Sequence, residues 1–138
     1  MLHFRVEGSA YFVTWRLAVH QHELAPLERE LVVSALKHFH DNRYWLYEYV
    51  VMPDHVHAIV QPYTNNTLSS VLHSWKSFMA NQLQRLFQRQ GAIWQKDTYE
   101  RIVRGENDLF EKANYILTNP ERRWPGIAEY QWRGWAWR

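Results

Sequence analysis

Two histidines and a tyrosine–asparagine pair are the residues of this chain whose types and spacing best fit a chemical site. His55 and His57 lie in the tract MPDHVH at 52–57, separated by one apolar residue. Tyr115 and Asn119 follow near the end of the chain, four residues apart. Imidazole nitrogens and an amide oxygen can bind a divalent cation, and a phenol can act as a nucleophile. Such a set is typical of metal-assisted phosphoryl chemistry.

The histidine spacing predicts two imidazoles on the same face of a β-strand, because successive side chains of a strand alternate. Val56 then points into the core. Two hydrogen-bonded histidines on an ordinary strand would show the same spacing, so these residues alone leave that structural interpretation open. A His-x-His-x-His nucleotide hydrolase is excluded, because residue 59 is isoleucine.

Tyr115 lies outside the predicted apolar stripe of the last helix. At about 100° per residue, Leu109, Ala113 and Ile116 fall on one side of that helix and should be buried. Tyr115 lies roughly 120° away from them. Asn119, one turn later, is its predicted neighbour on the same face. An aromatic residue beside an amide and away from the core favours a functional role over a packing role.

The elements that position these residues follow from hydrophobic periodicity and turn residues. They are a strand over 10–17, a helix over 26–41, strands over 44–52 and 55–61, a helix over 68–90, a strand over 98–103 and a helix over 108–119. We expect Thr67 to cap the second helix, Gly91 to end it and Asn107 to cap the last one.

The order of these elements predicts an α+β fold of the ferredoxin-like type. Its β-α-β-β-α-β unit is an antiparallel sheet with helices on one face, and an additional C-terminal helix carries the tyrosine. The other face of the sheet would be free to receive nucleic acid.

Length and composition predict one globular domain over 1–138, with a Trp- and Arg-rich tail at about 121–138. The chain has no cysteine, which excludes disulfides and thiolate metal sites. It has no stretch of ~20 apolar residues and no signal peptide at its start, so we expect no membrane span and a cytoplasmic location.

Positive charge is concentrated in the second half, although the net charge is only +2. A basic surface of this kind can bind phosphates, and solvated helix faces would give the same pattern. The candidate DNA contacts are Lys76, Arg101, Arg104, Arg122 and Arg123. The tail also contains four of the eight tryptophans, Trp124, Trp132, Trp135 and Trp137. We expect most of them to clamp the tail onto the core rather than stack on bases.

The sequence resembles the single-tyrosine HUH transposases, in which U is a hydrophobic residue, and is most similar to the REP-associated tyrosine transposases. The matching segments occur in the order of that family: YFVTWRL at 11–17, VMPDHVH at 51–57, IWQ at 93–95 followed by Tyr99 and 101–104, and YILTNP at 115–120. Asp54 stands where many relatives carry asparagine, and Glu100 stands where aspartate is common.

The resemblance implies a metal-dependent endonuclease and strand transferase for single-stranded DNA. Tyr115 would form a 5′-phosphotyrosine intermediate, and His55, His57 and Asn119 would bind Mg²⁺ or Mn²⁺. The substrate would carry a hairpin, as in REP-like repeats, and the protein would act as a monomer or a homodimer. Two alternatives stay open: a catalytically retired, sequence-specific DNA-hairpin-binding protein, and a phosphodiesterase that uses metal-activated water and does not need Tyr115.

Overall fold

The computed structural model describes residues 8–136. In chain order the elements are β1 (Tyr11–Arg16), α1 (Pro26–Lys37), β2 (Tyr44–Val51), β3 (His55–Pro62), α2 (Leu68–Phe87), β4 (Tyr99–Ile102), α3 (Glu106–Leu117), α4 (Asn119–Arg123) and β5 (Arg133–Gly134). The strands form one antiparallel sheet in the order β4-β1-β3-β2-β5. The predicted α+β, ferredoxin-like class is confirmed, and β5 adds a fifth strand.

Helices cover both faces of the sheet, whereas the sequence predicted helices on one face only. The first face carries Val56 and packs against α1 and α2. The second face carries Ile59 and packs against α3 through Leu109, Ala113 and Ile116. The predicted apolar stripe of α3 is therefore confirmed. The expectation of a free face was wrong because a stripe shows that a helix is buried and not which surface buries it.

Two predicted helix ends need correction. α1 ends at Lys37 rather than at residue 41, and Asp41 takes a left-handed conformation at φ 63°. The hydroxyl of Tyr44 donates to the carbonyl of Leu36 at 2.6 Å, which satisfies an acceptor of the last turn. α2 begins as predicted, with Thr67 capping its first turn. It ends at Phe87 rather than near Gly91, because Gln88 is already left-handed.

The predicted last helix is two helices. α3 follows Gly105, which has φ 115°, rather than Asn107. It ends at Leu117, and Thr118 leaves the helical region at φ −98° and ψ 5°. Asn119 begins α4, with Pro120 in the first turn, where a missing N–H has no helical partner to lose. The sequence predicted that Tyr115 and Asn119 share one helix face. That prediction was wrong, because the two residues lie on different helices.

The tail is anchored by its aromatic residues. Trp124 and Trp132 pack against the buried cluster under α3, and the Trp132 indole donates to the Glu30 carboxylate at 3.1 Å. The predicted clamp is confirmed for these two tryptophans, while Trp137 lies outside the described residues. Within 8–136, no helix has the length and apolar character that crossing a membrane would need.

Candidate active site

The two histidines lie on the sheet face that α3 covers. In the antiparallel register, His55 lies opposite Arg16 and His57 lies opposite Thr14. Both histidines are buried, with 8% and 6% of their surface exposed, and their ring centroids are 4.7 Å apart. Val56 is buried on the opposite face. The structure thus brings the two imidazoles together, as their spacing predicted.

Each histidine has one ring nitrogen engaged by a neighbour. Asp54 Oδ1 lies 2.7 Å from His55 Nδ1, and Thr14 Oγ1 lies 2.6 Å from His57 Nδ1. A carboxylate only accepts, so His55 donates from Nδ1 and keeps its lone pair on Nε2. The Thr14 hydroxyl can accept from His57 Nδ1 in the same way, which would leave the lone pair of His57 on Nε2. Metal-binding histidines typically have this second contact, which orients the ring.

Both imidazoles are held neutral by their surroundings. Burial lowers the pKa of His57 from 6.5 to about 3, and the nearby His55, Arg16 and Arg122 act in the same direction. Burial also lowers the pKa of His55, more than the hydrogen bond and charge of Asp54 raise it. The neutral imidazole is the form that binds metal ions, so both residues are in the form needed for coordination.

Asn119 reaches the same site from the start of α4. It is buried, with 8% of its surface exposed, and its side chain lies close enough to His55 to raise the pKa of that imidazole. Two neutral imidazoles and one amide oxygen form a chemically suitable set for a divalent cation, with further positions left for water and phosphate oxygens. Among residues 8–136 no cluster of three His, Cys, Asp or Glu side chains offers another metal site.

Tyr115 lies against the histidines from α3. Its ring centroid is 5.6 Å from that of His57 and 6.0 Å from that of Phe12, both in edge-to-face geometry. The guanidinium carbon of Arg122 lies 4.1 Å from the same centroid. Tyr115 is 46% exposed. The phenol is therefore fixed beside the imidazoles and still open to solvent.

Strand β1 supplies neighbours of the site to which the sequence assigned no role. Phe12, Thr14 and Arg16 alternate along β1 and face the histidines. Arg16 Nη1 lies 3.9 Å from Asp54 Oδ2, and its side chain is 53% exposed. The period-two alternation within the tract 11–17 was the signal that could have indicated them, once β1 was paired with β3.

The five basic residues predicted to contact DNA differ in exposure and in the protein groups that they contact. Lys76 is half-buried and donates to Thr98 Oγ1 at 3.0 Å, and burial lowers its pKa. Arg101 and Arg104 are exposed, the first on β4 opposite Phe12 and the second just after that strand.

On α4, Arg123 pairs with Glu23 at 3.4 Å, whereas Arg122 contacts Tyr115. A DNA-binding role stays a prediction for all five basic residues.

The family of the chain is decided by a match over most of its length. The model of the IS200-like transposases matches residues 15–117, about three quarters of the chain. The chain belongs to the IS200-like transposase family. The predicted resemblance is thereby confirmed, and the family is one of DNA-processing enzymes. The matched part of this IS200-like transposase includes both histidines and Tyr115, and Asn119 lies just beyond it.

Solved structures show that this IS200-like transposase shares its fold with other transposases. A REP-associated tyrosine transposase bound to a REP hairpin matches with a TM-score of 0.70 and 22% identity, over 90% of this chain and 75% of the other. A putative transposase from Deinococcus radiodurans R1 matches with a TM-score of 0.55 and 16% identity, over 86% and 97%. No curated protein has a matching sequence.

Proposed function

We propose that this IS200-like transposase is a metal-dependent endonuclease and strand transferase for single-stranded DNA, with Tyr115 as its nucleophile. The observation that carries the proposal is the contact of the half-exposed Tyr115 ring with the buried His57 ring. A REP-associated tyrosine transposase with this fold is bound to a REP hairpin, which supports a hairpin as part of the substrate here.

The proposed step exchanges one phosphate ester for another. Tyr115 Oη attacks the scissile phosphorus, the bond from phosphorus to the 3′-oxygen breaks, and the phenol proton is balanced by the proton gained by the new 3′-hydroxyl. The DNA is left joined to Tyr115 by its 5′-phosphate. Because a phosphate ester is retained, a second 3′-hydroxyl can reverse the step without ATP.

The residues around Tyr115 would hold the metal ion and orient its ligands. His55, His57 and Asn119 would bind Mg²⁺ or Mn²⁺, which would polarise the phosphate and offset its developing charge. Asp54 and Thr14 orient the imidazoles through Nδ1. Because Tyr115 contacts His57 of its own chain, we propose that a monomer supplies a complete site.

The test is covalent capture of DNA. A labelled hairpin with random single-stranded flanks is incubated with the protein and Mg²⁺ or Mn²⁺, and adducts that survive denaturation are measured. Tyr115→Phe keeps the ring and should abolish the adduct while leaving DNA binding nearly unchanged. Tyr99→Phe is the matched control, because Tyr99 is an exposed tyrosine paired with Thr14 on the same sheet, and it should still form the adduct.

Other outcomes favour the alternative functions. Cleavage that persists in Tyr115→Phe would indicate a phosphodiesterase that uses metal-activated water. Hairpin binding without cleavage in either metal would indicate a retired DNA-binding protein. Loss of the adduct in Tyr99→Phe alone would place the nucleophile on β4 and contradict the assignment of Tyr115.

A further inference from the structure

Arg122 holds the end of the helix that carries Tyr115. Its Nη1 donates to Thr118 Oγ1 at 2.6 Å, and its Nη2 donates to the carbonyl oxygen of Tyr115. The same guanidinium lies over the Tyr115 ring, 4.1 Å from the centroid. One side chain from α4 thus contacts both the main chain and the ring of the proposed nucleophile.

These contacts matter because α3 ends only two residues after Tyr115. The last carbonyls of a helix have no partner within the helix, and an unsupported last turn frays. Here the Thr118 hydroxyl donates to Asn114 at 2.7 Å, and Arg122 donates to Tyr115. The last turn is therefore held from α4, next to the residue that must be aligned for attack.

The ring of Tyr115 depends on Arg122 in a second way. Its contacts with Phe12 and His57 are edge-to-face, and much of the side chain is exposed. The guanidinium covers a face of the ring, where a planar cation is attracted to the π-electrons. Without the guanidinium the ring would lose this contact and keep the edge-to-face contacts with Phe12 and His57.

We propose that Arg122 is a positioning residue for Tyr115, an inference that rests on the proposed function of that tyrosine. In-line attack tolerates little displacement, since a misplacement of about 1 Å can cost ~100-fold in rate. The two internal hydrogen bonds use two of the five N–H groups of Arg122 and hold the guanidinium plane against the Tyr115 ring. The remaining N–H groups could still reach a phosphate, so the test separates positioning from phosphate binding.

The kinetic test separates alignment from binding. Arg122→Gln should lower kcat for adduct formation about 10–100-fold, with an unchanged KM for the DNA hairpin. The kcat of Arg122→Lys should be close to that of Arg122→Gln, because an ammonium group is not planar and cannot both stack on the ring and make two parallel hydrogen bonds. Arg85→Gln is the matched control: it removes an equal charge from the exposed end of α2 and should leave kcat unchanged.

Two results would overturn the inference. A higher KM and a salt dependence of binding that is flatter by about 0.7 in slope, with kcat unchanged, would make Arg122 a phosphate contact on single-stranded DNA. Full recovery of kcat in Arg122→Lys would mean that only the charge matters.

A second measurement uses no DNA. In protein labelled with ¹³C-tyrosine, the Tyr115 ring signals are assigned by their loss in Tyr115→Phe. Arg122→Gln should shift these signals, and Arg85→Gln should not. Unshifted signals would refute the positioning role whatever the activity, whereas an adduct that survives Tyr115→Phe would refute the proposed function and leave the ring contact as observed.

Discussion

Replacing Arg89 with methionine should destabilise the protein, because it removes the ion-pair partner of the buried Glu28 carboxylate. Arg89 and Glu28 are 5% and 3% exposed. The guanidinium donates to both carboxylate oxygens, at 2.5 and 2.8 Å. It also donates to the Gln21 side chain and to the carbonyls of His22 and Glu23. Arg89 therefore connects α1 with the loop between β1 and α1.

The size of the effect follows from this burial. Removing one partner of a buried ion pair typically costs about 3–5 kcal/mol, because the other charge stays desolvated. For a domain of this length, that corresponds to a fall in melting temperature of about 10–20 °C. Replacing both residues, in Glu28→Met/Arg89→Met, should be clearly less damaging than Arg89→Met alone, since no buried charge is left behind.

The assay is urea unfolding followed by tryptophan fluorescence, with the two single variants and the double variant forming a cycle. If Arg89→Met unfolds within about 1 kcal/mol of the original protein, the pair is not desolvated as the structure indicates and the reasoning is wrong. A double variant less stable than both single variants would also contradict the explanation that the cost comes from an unpaired buried charge.

The same pair predicts how stability depends on pH. Although burial favours the neutral acid, hydrogen bonds from Arg89 and from the Ala25 amide, with the charge of Arg89, lower the pKa of Glu28 below 4.5. A lowered pKa in the folded state means stability that is present above the unfolded pKa and is lost as the pH falls through the folded pKa. In Arg89→Met, burial is opposed only by the Ala25 amide and the charge of His22, so the contribution of Glu28 to stability should change sign and favour folding at acidic pH.

Two further changes test the site and the helix that carries Tyr115. Asp54→Ala removes the acceptor of His55 Nδ1 and should weaken Mn²⁺ binding about 10–100-fold by titration calorimetry; unchanged binding would show that Asp54 does not orient the imidazole. Gly105→Ala should destabilise the protein by about 1–3 kcal/mol in urea, because φ is 115° there and an alanine would be strained although its Cβ would meet no atom within 4 Å. A neutral effect of Gly105→Ala would show that the chain before α3 relaxes freely.

Local sequence patterns predicted much of the fold and the face of the site. The alternation around Val56 placed both imidazoles on one side of β3, and the period of Leu109, Ala113 and Ile116 identified the buried stripe of α3. Both predictions depend on spacing within one element. They hold because the neighbouring residues along the chain decide which side chains share a face.

The features of the fold that the sequence did not predict depend on contacts between distant parts of the chain. The sequence predicted one helix over 108–119, whereas a new helix begins at Asn119 with Pro120 in its first turn, so Asn119 approaches His55 from α4. Strand β5 was not predicted, because two residues carry no periodicity. It pairs with β2 at Gly134, where a Cβ would lie 3.3 Å from the Tyr49 hydroxyl and would press on that side chain. Such close approaches are invisible until the partner strand is placed.

The sheet has a consequence for how the protein behaves in concentrated solution. Within the part of the chain that the structure describes, it is bounded by β4, four residues long, and by β5, two residues long. β4 also places Glu100 and Arg101 at its border. Short edge strands with charged residues expose few backbone groups with which a strand of another molecule could pair. The protein should therefore resist edge-to-edge aggregation during overexpression.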